Sequence, residues 1–166
     1  MKLKDEYSLI VPFSFGGVLV RANRKCILES AFVRSRDIKK SNALNMGKEA
    51  EVPLLREAKK QLNDYFKGNF RDLCLPLDES VGTAFQRSVW LSLQKIPFGE
   101  TRSYQDIALA VKSPKGSQAV GAANSKNPFA LFVPCHRVIN KNGNLGGFGA
   151  GKRLKKWLLH FEGVKI

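Results

Sequence analysis

The sequence predicts a mixed α/β fold of the α+β kind, in which a small N-terminal sheet with one helix precedes a mostly helical C-terminal domain. Three observations support this prediction. Residues 7–34 mix Val, Ile, Leu and Phe with Gly16-Gly17 and Asn23-Arg24, which is typical of short strands joined by turns. A helical stripe of apolar residues follows Pro53. Beyond a segment that contains Pro76, the apolar spacing is again helical.

The first predicted helix starts after Pro53 and ends at Gly68. We expect this helix to cover the sheet. Its apolar stripe consists of Leu54, Leu55, Ala58, Leu62, Tyr65 and Phe66.

The segment from Asn69 to Thr83, which contains Pro76 and Gly82, is predicted to be a linker. A chain of 166 residues can form one domain or two small ones. We therefore place a boundary near Asp78, with residues 1–77 as an N-terminal αβ domain and residues 78–166 as the C-terminal domain.

Three helices are predicted in the first part of the C-terminal domain. One begins at about Thr83, presents Phe85, Val89, Trp90 and Leu93 toward the core, and closes at Pro97 and Gly99. A second opens at Ser103-Tyr-Gln-Asp106, an S-x-x-D capping box. Ser113-Pro114 predicts the start of a third, with Ser113 as the N-cap, that runs to about Ser125. The last two resemble a helix-turn-helix.

The third of these helices has almost no side chains that could read bases. A helix in the major groove carries Arg, Asn or Gln, whereas this one carries Ala119, Gly121, Ala122 and Ala123. Such a thin helix favours sequence-independent docking in the minor groove, with phosphate contacts from nearby basic residues. Tight helix packing is the alternative explanation for the small residues.

The charge is strongly basic, with 28 Lys and Arg against 14 Asp and Glu and a formal net charge of +14. Such a surface attracts polyanions, and nucleic acid is the leading candidate. A strongly solvated surface or an anionic membrane would fit the charge as well. The three cysteines, Cys26, Cys74 and Cys135, are widely spaced and form no C-x-x-C pair, which favours reduced thiols over a disulfide framework or a zinc site.

No run of about 18 apolar residues is present, and residues 1–7 lack the features of a secretory signal. We therefore expect a soluble, intracellular protein that does not bind membranes. Its compartment would be the cytoplasm in a prokaryote or the nucleus in a eukaryote.

Cys135 ends an apolar run and is followed by two basic residues, in the string Pro134-Cys135-His136-Arg137-Val138. A structural cysteine usually has apolar neighbours on both sides. The imidazole, the guanidinium and a tight turn would together stabilise a thiolate. Cys135 is therefore predicted to be reactive.

This string, preceded by Asn127-Pro128 and followed by Gly146-Gly-Phe-Gly149, resembles the active-site region of the O6-alkylguanine-DNA alkyltransferases, also called methylated-DNA–protein-cysteine methyltransferases. The resemblance covers the C-terminal half, while the N-terminal half matches loosely at 61–68. It implies a ribonuclease H-like N-terminal domain and a winged helix-turn-helix in the C-terminal one. The further matching motifs are Gly82-Thr-Ala-Phe85-Gln, Ile96-Pro-Phe-Gly-Glu-Thr-Arg-Ser103-Tyr104 and Trp157-Leu-Leu-His-Phe-Glu162-Gly163.

The resemblance implies direct repair of double-stranded DNA that carries O6-alkylguanine, with O4-alkylthymine as a second candidate substrate. Cys135 would take the alkyl group, and His136 would receive the thiol proton through a water. Glu162 would orient the imidazole. Because a thioether is a poor leaving group, one monomer would repair one lesion, with no cofactor and no metal.

Glu162 stands out on independent grounds, because it lies in the last turn of a helix, where the dipole disfavours an anion. Some other contact would then have to favour it. A solvent-exposed glutamate is the alternative.

The resemblance implies further roles. Tyr104 would crowd the backbone phosphate and bond the base, which must leave the stack. Asn127 would tie the turn around Cys135 to the preceding helix, and the carbonyls of Cys135 and Val138 would accept from the guanine amine. The loop of Gly147, Phe148 and Gly149 would close over the alkyl group. The expected DNA contacts are Arg102, Ser103, Lys115, Gln118, Ala119, Ala122, Ala123, Lys126 and Arg137.

Three positions depart from the family pattern. Gln118 stands where an arginine commonly fills the gap left by the flipped base, and a glutamine bonds the orphan base without adding charge. Phe148 and Gly149 replace a frequent tyrosine and serine, which predicts a less polar pocket.

Other functions remain as alternatives. A non-catalytic protein that binds alkylated DNA and recruits repair factors would lack the acceptor cysteine. A helix-turn-helix regulator would need base-reading side chains. A thiol hydrolase would need an oxyanion hole and would turn over repeatedly.

Overall fold

The computed structural model describes residues 6–38, 52–69 and 72–166. Their contacts form two compact units. The first contains the described residues up to Asp78 together with Pro128–Phe132, and the second contains Glu79–Asn127 and Val133–Ile166. Residues 1–5, part of the chain start considered above, and residues 70 and 71 of the expected linker lie outside the described residues.

The first unit is built on an antiparallel three-stranded sheet in the order β1-β2-β3. Its strands are β1 (Tyr7–Phe13), β2 (Gly16–Ala22) and β3 (Ile27–Val33). Alternate residues point to opposite faces of a strand, and in β2 Val18 and Val20 are fully buried while Leu19 between them is not. The sheet therefore buries one face.

Gly16 is required where β1 turns into β2. Its φ is +140°, and a Cβ there would lie 2.2 Å from the Val33 carbonyl oxygen of β3. No other residue fits this position without moving the third strand.

Helix α1 (Pro53–Phe66) begins with proline in its first turn and packs against β1 and β2. The Phe66 ring stacks on Phe13 of β1 with ring centroids 4.5 Å apart. The prediction that this helix covers the sheet is confirmed.

The apolar stretch Pro128–Phe132 belongs to the first unit because it pairs with β3. The Ser30 N–H donates to the Pro128 carbonyl at 2.8 Å, and the Ala130 N–H donates to the Ser30 carbonyl at 3.0 Å. The Ser30 hydroxyl also donates to the Ala130 carbonyl. Residues 128–132 are thus held by the sheet, which nothing in the local sequence indicates.

The second unit contains α2 (Ala84–Gln94), α3 (Tyr104–Ala110), α4 (Ser117–Ser125) and α5 (Lys152–Phe161). A parallel pair, β4 (Arg102–Ser103) with β5 (Val138–Ile139), lies beside a 3₁₀ turn at Cys135–Arg137. The Trp90 indole of α2 donates to the Ala123 carbonyl of α4 at 2.9 Å. This bond joins two helices through a buried side chain.

Helix α3 has the predicted capping box, since Ser103 Oγ accepts from the Asp106 N–H and the Asp106 carboxylate accepts from the Ser103 N–H. The predicted start of the next helix at Ser113 is wrong. Helix α4 begins at Ser117 with Gly116 as its N-cap. The Ser113 N–H instead bonds the Ala108 carbonyl at 2.8 Å, and the Ser113 carbonyl accepts from the Gly116 N–H at 2.7 Å, so residues 113–116 form a turn that precedes α4.

The small antiparallel sheet and the helices confirm the predicted mixed α/β class. Within the described ranges, no helix has both the length and the apolar character needed to cross a bilayer.

Candidate active site

The backbone around Cys135 is fixed by bonds on both sides of the 3₁₀ turn. The Cys135 N–H donates to the Val133 carbonyl at 2.8 Å, and the Arg137 N–H donates to the Pro134 carbonyl at 3.0 Å. Asn127, just beyond α4, donates its side-chain amide to the same Val133 carbonyl at 2.9 Å. Cys135 itself is 9% exposed. The turn thus holds Cys135 in a fixed position and leaves little of the residue exposed to solvent.

A buried carboxylate joins the two residues that follow Cys135. Glu162 Oε1 lies 2.8 Å from His136 Nε2, and Oε2 lies 2.8 Å from Arg137 Nε. Glu162 is 4% exposed, which excludes the solvent-exposed alternative. It caps the C-terminal end of α5, where the dipole is unfavourable, and the Arg137 guanidinium and the His136 hydrogen bond offset that cost.

The charges of this cluster follow from its burial and pairing. Burial alone would raise the pKa of Glu162, but His136 and Arg137 outweigh it and hold the pKa well below its usual range. Burial lowers the pKa of His136, although Glu162 opposes this shift. The cluster is therefore a carboxylate beside a neutral imidazole.

The bond to Glu162 also selects the tautomer of His136. A carboxylate can only accept, so Nε2 carries the hydrogen and Nδ1 keeps a lone pair. Nδ1 has no hydrogen-bond partner among the residues that the structure describes. His136 can thus act as a proton acceptor through Nδ1.

Arg137 does not fill the roles that the sequence suggested for it. It is 6% exposed, and besides Glu162 it bonds the Ile96 carbonyl through Nη1 at 2.7 Å. Its expected contact with DNA is wrong, because the guanidinium lies inside the second unit. Its charge is paired with Glu162.

The expectation of a stabilised thiolate also needs correction. Burial raises the pKa of the Cys135 thiol above its ordinary value, and the Asn127 bond and the Lys155 charge offset this effect only in part. The resting sulfur is therefore a neutral thiol, and its reactivity depends on a proton acceptor.

Lys155 is a site residue that the sequence interpretation missed. Its side chain is fully buried, and Nζ donates to the carbonyls of Val138, Leu145 and Gly147. Burial lowers its pKa to about 8. The available signal was its position: Lys155 lies on the same face of α5 as Leu158 and Leu159, where a lysine needs a specific partner.

Tyr104 and Asn124 lie beside the turn. The Asn124 side chain donates to the Cys135 carbonyl at 3.3 Å and also hydrogen-bonds Tyr104. Burial raises the pKa of Tyr104, so the phenol stays protonated and can donate. A Cβ on Gly146, whose φ is +68°, would lie 3.1 Å from the Tyr104 ring, so this position favours glycine.

The two carbonyls expected to receive the guanine amine already accept bonds within the protein. Cys135 O accepts from the Asn124 side chain and from the Val138 N–H, and Val138 O accepts from Lys155. A carbonyl oxygen has two lone pairs, so a guanine amine at Cys135 O would share or displace one of these donors. Asn124 and Lys155 thereby orient both carbonyls, a role that local sequence could not indicate.

Most of the expected DNA-contacting residues are exposed. Arg102 forms a surface ion pair with Glu100 at 2.8 Å, and Ser103 is half-buried as a helix cap. The assignment of Ala123 is wrong, because it is 2% exposed and packs toward α2. The expected DNA contacts that are exposed to solvent, as binding requires, are Arg102, Lys115, Gln118, Ala119, Ala122 and Lys126.

The loop after β5 carries the remaining expected site residues. Gly147 and Gly149 are exposed, and Phe148 is half-buried. The Phe148 carbonyl accepts from the Gly151 N–H at 2.9 Å, just before α5 begins. In the ranges that the structure describes, no three His, Cys, Asp or Glu residues converge as a metal site would require.

A cysteine beside a histidine whose tautomer is set by a buried glutamate is typical of proteins that use sulfur as a nucleophile. Comparison with known proteins defines the family. Residues 84–164 match the family model of the 6-O-methylguanine DNA methyltransferase DNA binding domain. The Bacillus subtilis constitutive methylated-DNA–protein-cysteine methyltransferase is 51% identical over 115 residues, or 69% of each chain. The Methanosarcina barkeri protein of that name is 37% identical over 164 residues, or 94% of this chain and 96% of the relative.

Among solved structures, the Mycobacterium tuberculosis OGT in complex with DNA superimposes with a TM-score of 0.79 at 33% identity. The match covers 94% of this chain and 92% of that one. The chain belongs to the methylated-DNA–protein-cysteine methyltransferase family. The resemblance seen in the sequence motifs is confirmed.

We expect Lys155→Met to destabilise the protein by about 2 to 4 kcal/mol, because three carbonyls lose their donor and methionine cannot replace it. Loss of the positive charge should also raise the Cys135 pKa further and slow its alkylation at neutral pH. Urea unfolding measures the first effect, and alkylation by O6-benzylguanine at several pH values measures the second. Lys156→Met, an exposed neighbour on the same helix, is the matched control; equal stability of the two variants would contradict this role.

Proposed function

We propose that this protein repairs double-stranded DNA by moving the alkyl group of O6-alkylguanine onto Cys135, once per molecule. The observation that carries the proposal is the buried set of Cys135, His136 and Glu162 in a chain of this family. The same chemistry would extend to O4-alkylthymine. The cysteine that a non-catalytic DNA-binding relative would lack is present, so that alternative is not favoured.

The proposed reaction begins with a neutral thiol. His136 Nδ1 takes the thiol proton through a bridging water, and the negative Glu162 stabilises the imidazolium that forms. The sulfur then forms a bond to the alkyl carbon as the carbon–oxygen bond to guanine breaks. The base keeps the electron pair of that bond and takes up one proton, which balances the proton that His136 received from the thiol. Tyr104, which keeps its proton, donates a hydrogen bond to the departing base.

The base must leave the stack to reach a sulfur that is 9% exposed. We propose that α3 and α4 form a winged helix-turn-helix whose second helix docks in the minor groove. Exposed Ala119 and Ala122 would allow close approach, and Gln118 would bond the orphan base. Backbone contacts from Arg102, Ser103, Lys115 and Lys126 would hold the duplex.

The remaining assignments complete the proposal. Asn127 would hold the turn at Cys135, and the Cys135 and Val138 carbonyls would select guanine. Gly147, Phe148 and Gly149 would enclose the alkyl group. Residues 78–166 would bind DNA and accept the alkyl group, and the ribonuclease H-like residues 1–77 would support them; the protein would act as a monomer without a cofactor.

Intact mass after incubation with an oligonucleotide that contains O6-methylguanine tests the proposal. We expect a gain of one methylene per molecule, confined to the Cys135 peptide, with no second turnover when the oligonucleotide is in excess. Cys74→Ser, which removes an exposed thiol, should behave as the wild type. Tight binding to the damaged DNA without a mass gain would favour a non-catalytic protein instead.

Docking through α4 makes a separate prediction. Ala122 is exposed, and Ala122→Glu would place a negative charge against phosphates, so DNA affinity should fall by about a hundredfold or more. The fold and the alkylation by free O6-benzylguanine should stay unchanged. Fluorescence anisotropy with a labelled duplex measures the affinity, and Ala84→Glu, an exposed position on α2, is the control. Unchanged affinity of Ala122→Glu would refute docking through α4.

A further inference from the structure

The outward side of α5 is entirely basic. The side that packs into the second unit contains Leu154, Lys155, Leu158 and Leu159. At about 100° per residue, the exposed residues of the helix occupy one continuous arc of roughly 100° on the other side. This arc, which we call the α5 basic face, consists of Lys152, Arg153, Lys156 and His160.

These charges do not favour the helix that carries them. Lys152 and Arg153 lie in the first turn, where the positive end of the dipole disfavours cations, and no acidic residue accompanies them there. Lys152 and Lys156 are four residues apart and repel each other. Helix stability therefore does not account for this arrangement.

Exposed acidic residues are missing from the same stretch of chain. Residues 107–166 contain ten Lys and Arg but one acidic residue, Glu162, which is buried with His136 and Arg137. The nearest acidic residues before this stretch are already engaged: Asp106 caps α3 and Glu100 pairs with Arg102. The sequence of α5, Lys152–Phe161, thus contains no acidic residue.

The partner that fits this face is a polyanion and not a bilayer. A helix that binds a membrane surface inserts an exposed apolar face, but α5 buries its leucines inside the unit. The large apolar side chains exposed among the described residues are Leu91, Leu109 and Ile166, none of which belongs to α5. A row of cations on a helix that carries no fully exposed large apolar side chain matches a nucleic acid backbone.

We propose that the α5 basic face binds the phosphate backbone of duplex DNA, in addition to the contacts of α3 and α4. The choice of DNA as the polyanion rests on the proposed function. These contacts are independent of base sequence and of the lesion. They add affinity for undamaged DNA, which a protein must bind while it searches for rare damaged bases.

The test compares Lys152→Gln/Arg153→Gln/Lys156→Gln with the wild type on an undamaged duplex of about 30 base pairs over a range of salt concentrations. If each side chain contacts a phosphate, the slope of log K against log salt should become shallower by about 2 to 3. Affinity near 0.1 M salt should fall at least about tenfold. Thermal stability should stay the same or rise, because cations leave the first turn of α5.

The matched control is Lys25→Gln/Lys60→Gln/Lys67→Gln, which removes three exposed charges from the first unit. Equal changes in slope for the two triple variants would refute the proposal, since the effect would then be one of net charge alone. An unchanged slope together with lost binding to phosphatidylserine vesicles would refute it in favour of a lipid surface.

Alkylation by free O6-benzylguanine separates this proposal from the function on which it rests. The α5 triple variant should be alkylated at the wild-type rate, because the substituted side chains are exposed and take no part in the buried site at Cys135. If the wild type itself were not alkylated, the proposed function would fail, while the salt dependence would still decide whether α5 binds DNA.

Discussion

Cys135→Ser should show no alkyl gain from O6-methylguanine DNA at any incubation time. A serine hydroxyl has a far higher pKa than a thiol, and its oxygen is a poorer nucleophile toward an alkyl carbon. His136 is also too weak a base to deprotonate a serine, because burial lowers its pKa below the ordinary value. The single change of sulfur to oxygen should therefore remove the reaction completely.

The same variant should keep its fold and its affinity for damaged DNA. Serine is close to cysteine in size, and a buried hydroxyl that finds a partner costs little, so we expect a stability change within about 1 kcal/mol. Intact mass measures transfer, and anisotropy with the damaged duplex measures binding. A methylene gain in Cys135→Ser would mean that another residue accepts the alkyl group.

Glu162→Gln should lower the free energy of unfolding by about 3 to 5 kcal/mol. The change leaves the Arg137 guanidinium buried without its anion, and breaking one side of a buried pair carries a cost of this size. It should also slow alkyl transfer by about a hundredfold or more, because His136 loses the carboxylate that sets its tautomer and stabilises its protonated form. Urea unfolding and single-turnover transfer kinetics measure the two effects.

A double variant separates the structural effect from the chemical one. Arg137→Met combined with Glu162→Gln removes the unpaired buried charge, so stability should recover substantially while transfer stays slow. Glu79→Gln, an exposed carboxylate in the same unit, is the control and should change neither quantity. Recovery of transfer along with stability would show that Glu162 serves folding alone.

The pH dependence of wild-type stability should also show the contribution of Glu162. The folded pKa of Glu162 lies well below the ordinary value of 4.5, so its contribution is fully present above about pH 4.5 and is lost as the pH falls toward the folded pKa. Glu162→Gln should therefore show a weaker loss of stability between neutral and acidic pH than the wild type.

Sequence patterns predicted the parts of the fold that depend on interactions between neighbouring residues. The capping box at Ser103 and the apolar stripe of α1 each depend on a few neighbouring residues, and both are present in the structure. Ser113-Pro114 misled because a serine followed by a proline also fits a turn, and residues 113–116 form a turn closed by the Gly116 N–H and the Ser113 carbonyl.

The site was less predictable where a charge is buried. Nothing near Arg137 in sequence reveals that its partner is Glu162, 25 residues later, so the guanidinium was assigned to the surface. Lys155 donates to backbone carbonyls. Because every residue has a backbone carbonyl, the sequence does not show which residues are its partners. Family motifs identified Cys135, His136 and Glu162, but the neutral state of the thiol follows from burial, which only the fold reveals.

The pairing of Pro128–Phe132 with β3 affects how this protein can be divided for experiments. The family match to residues 84–164 suggests a C-terminal fragment that could be produced alone. Such a fragment would retain Phe129, Leu131 and Phe132 but lose the strand beside them, so three side chains that are at most 4% exposed in the intact chain would face water. Any shortened version for expression should therefore supply a replacement for Ser30 and its strand.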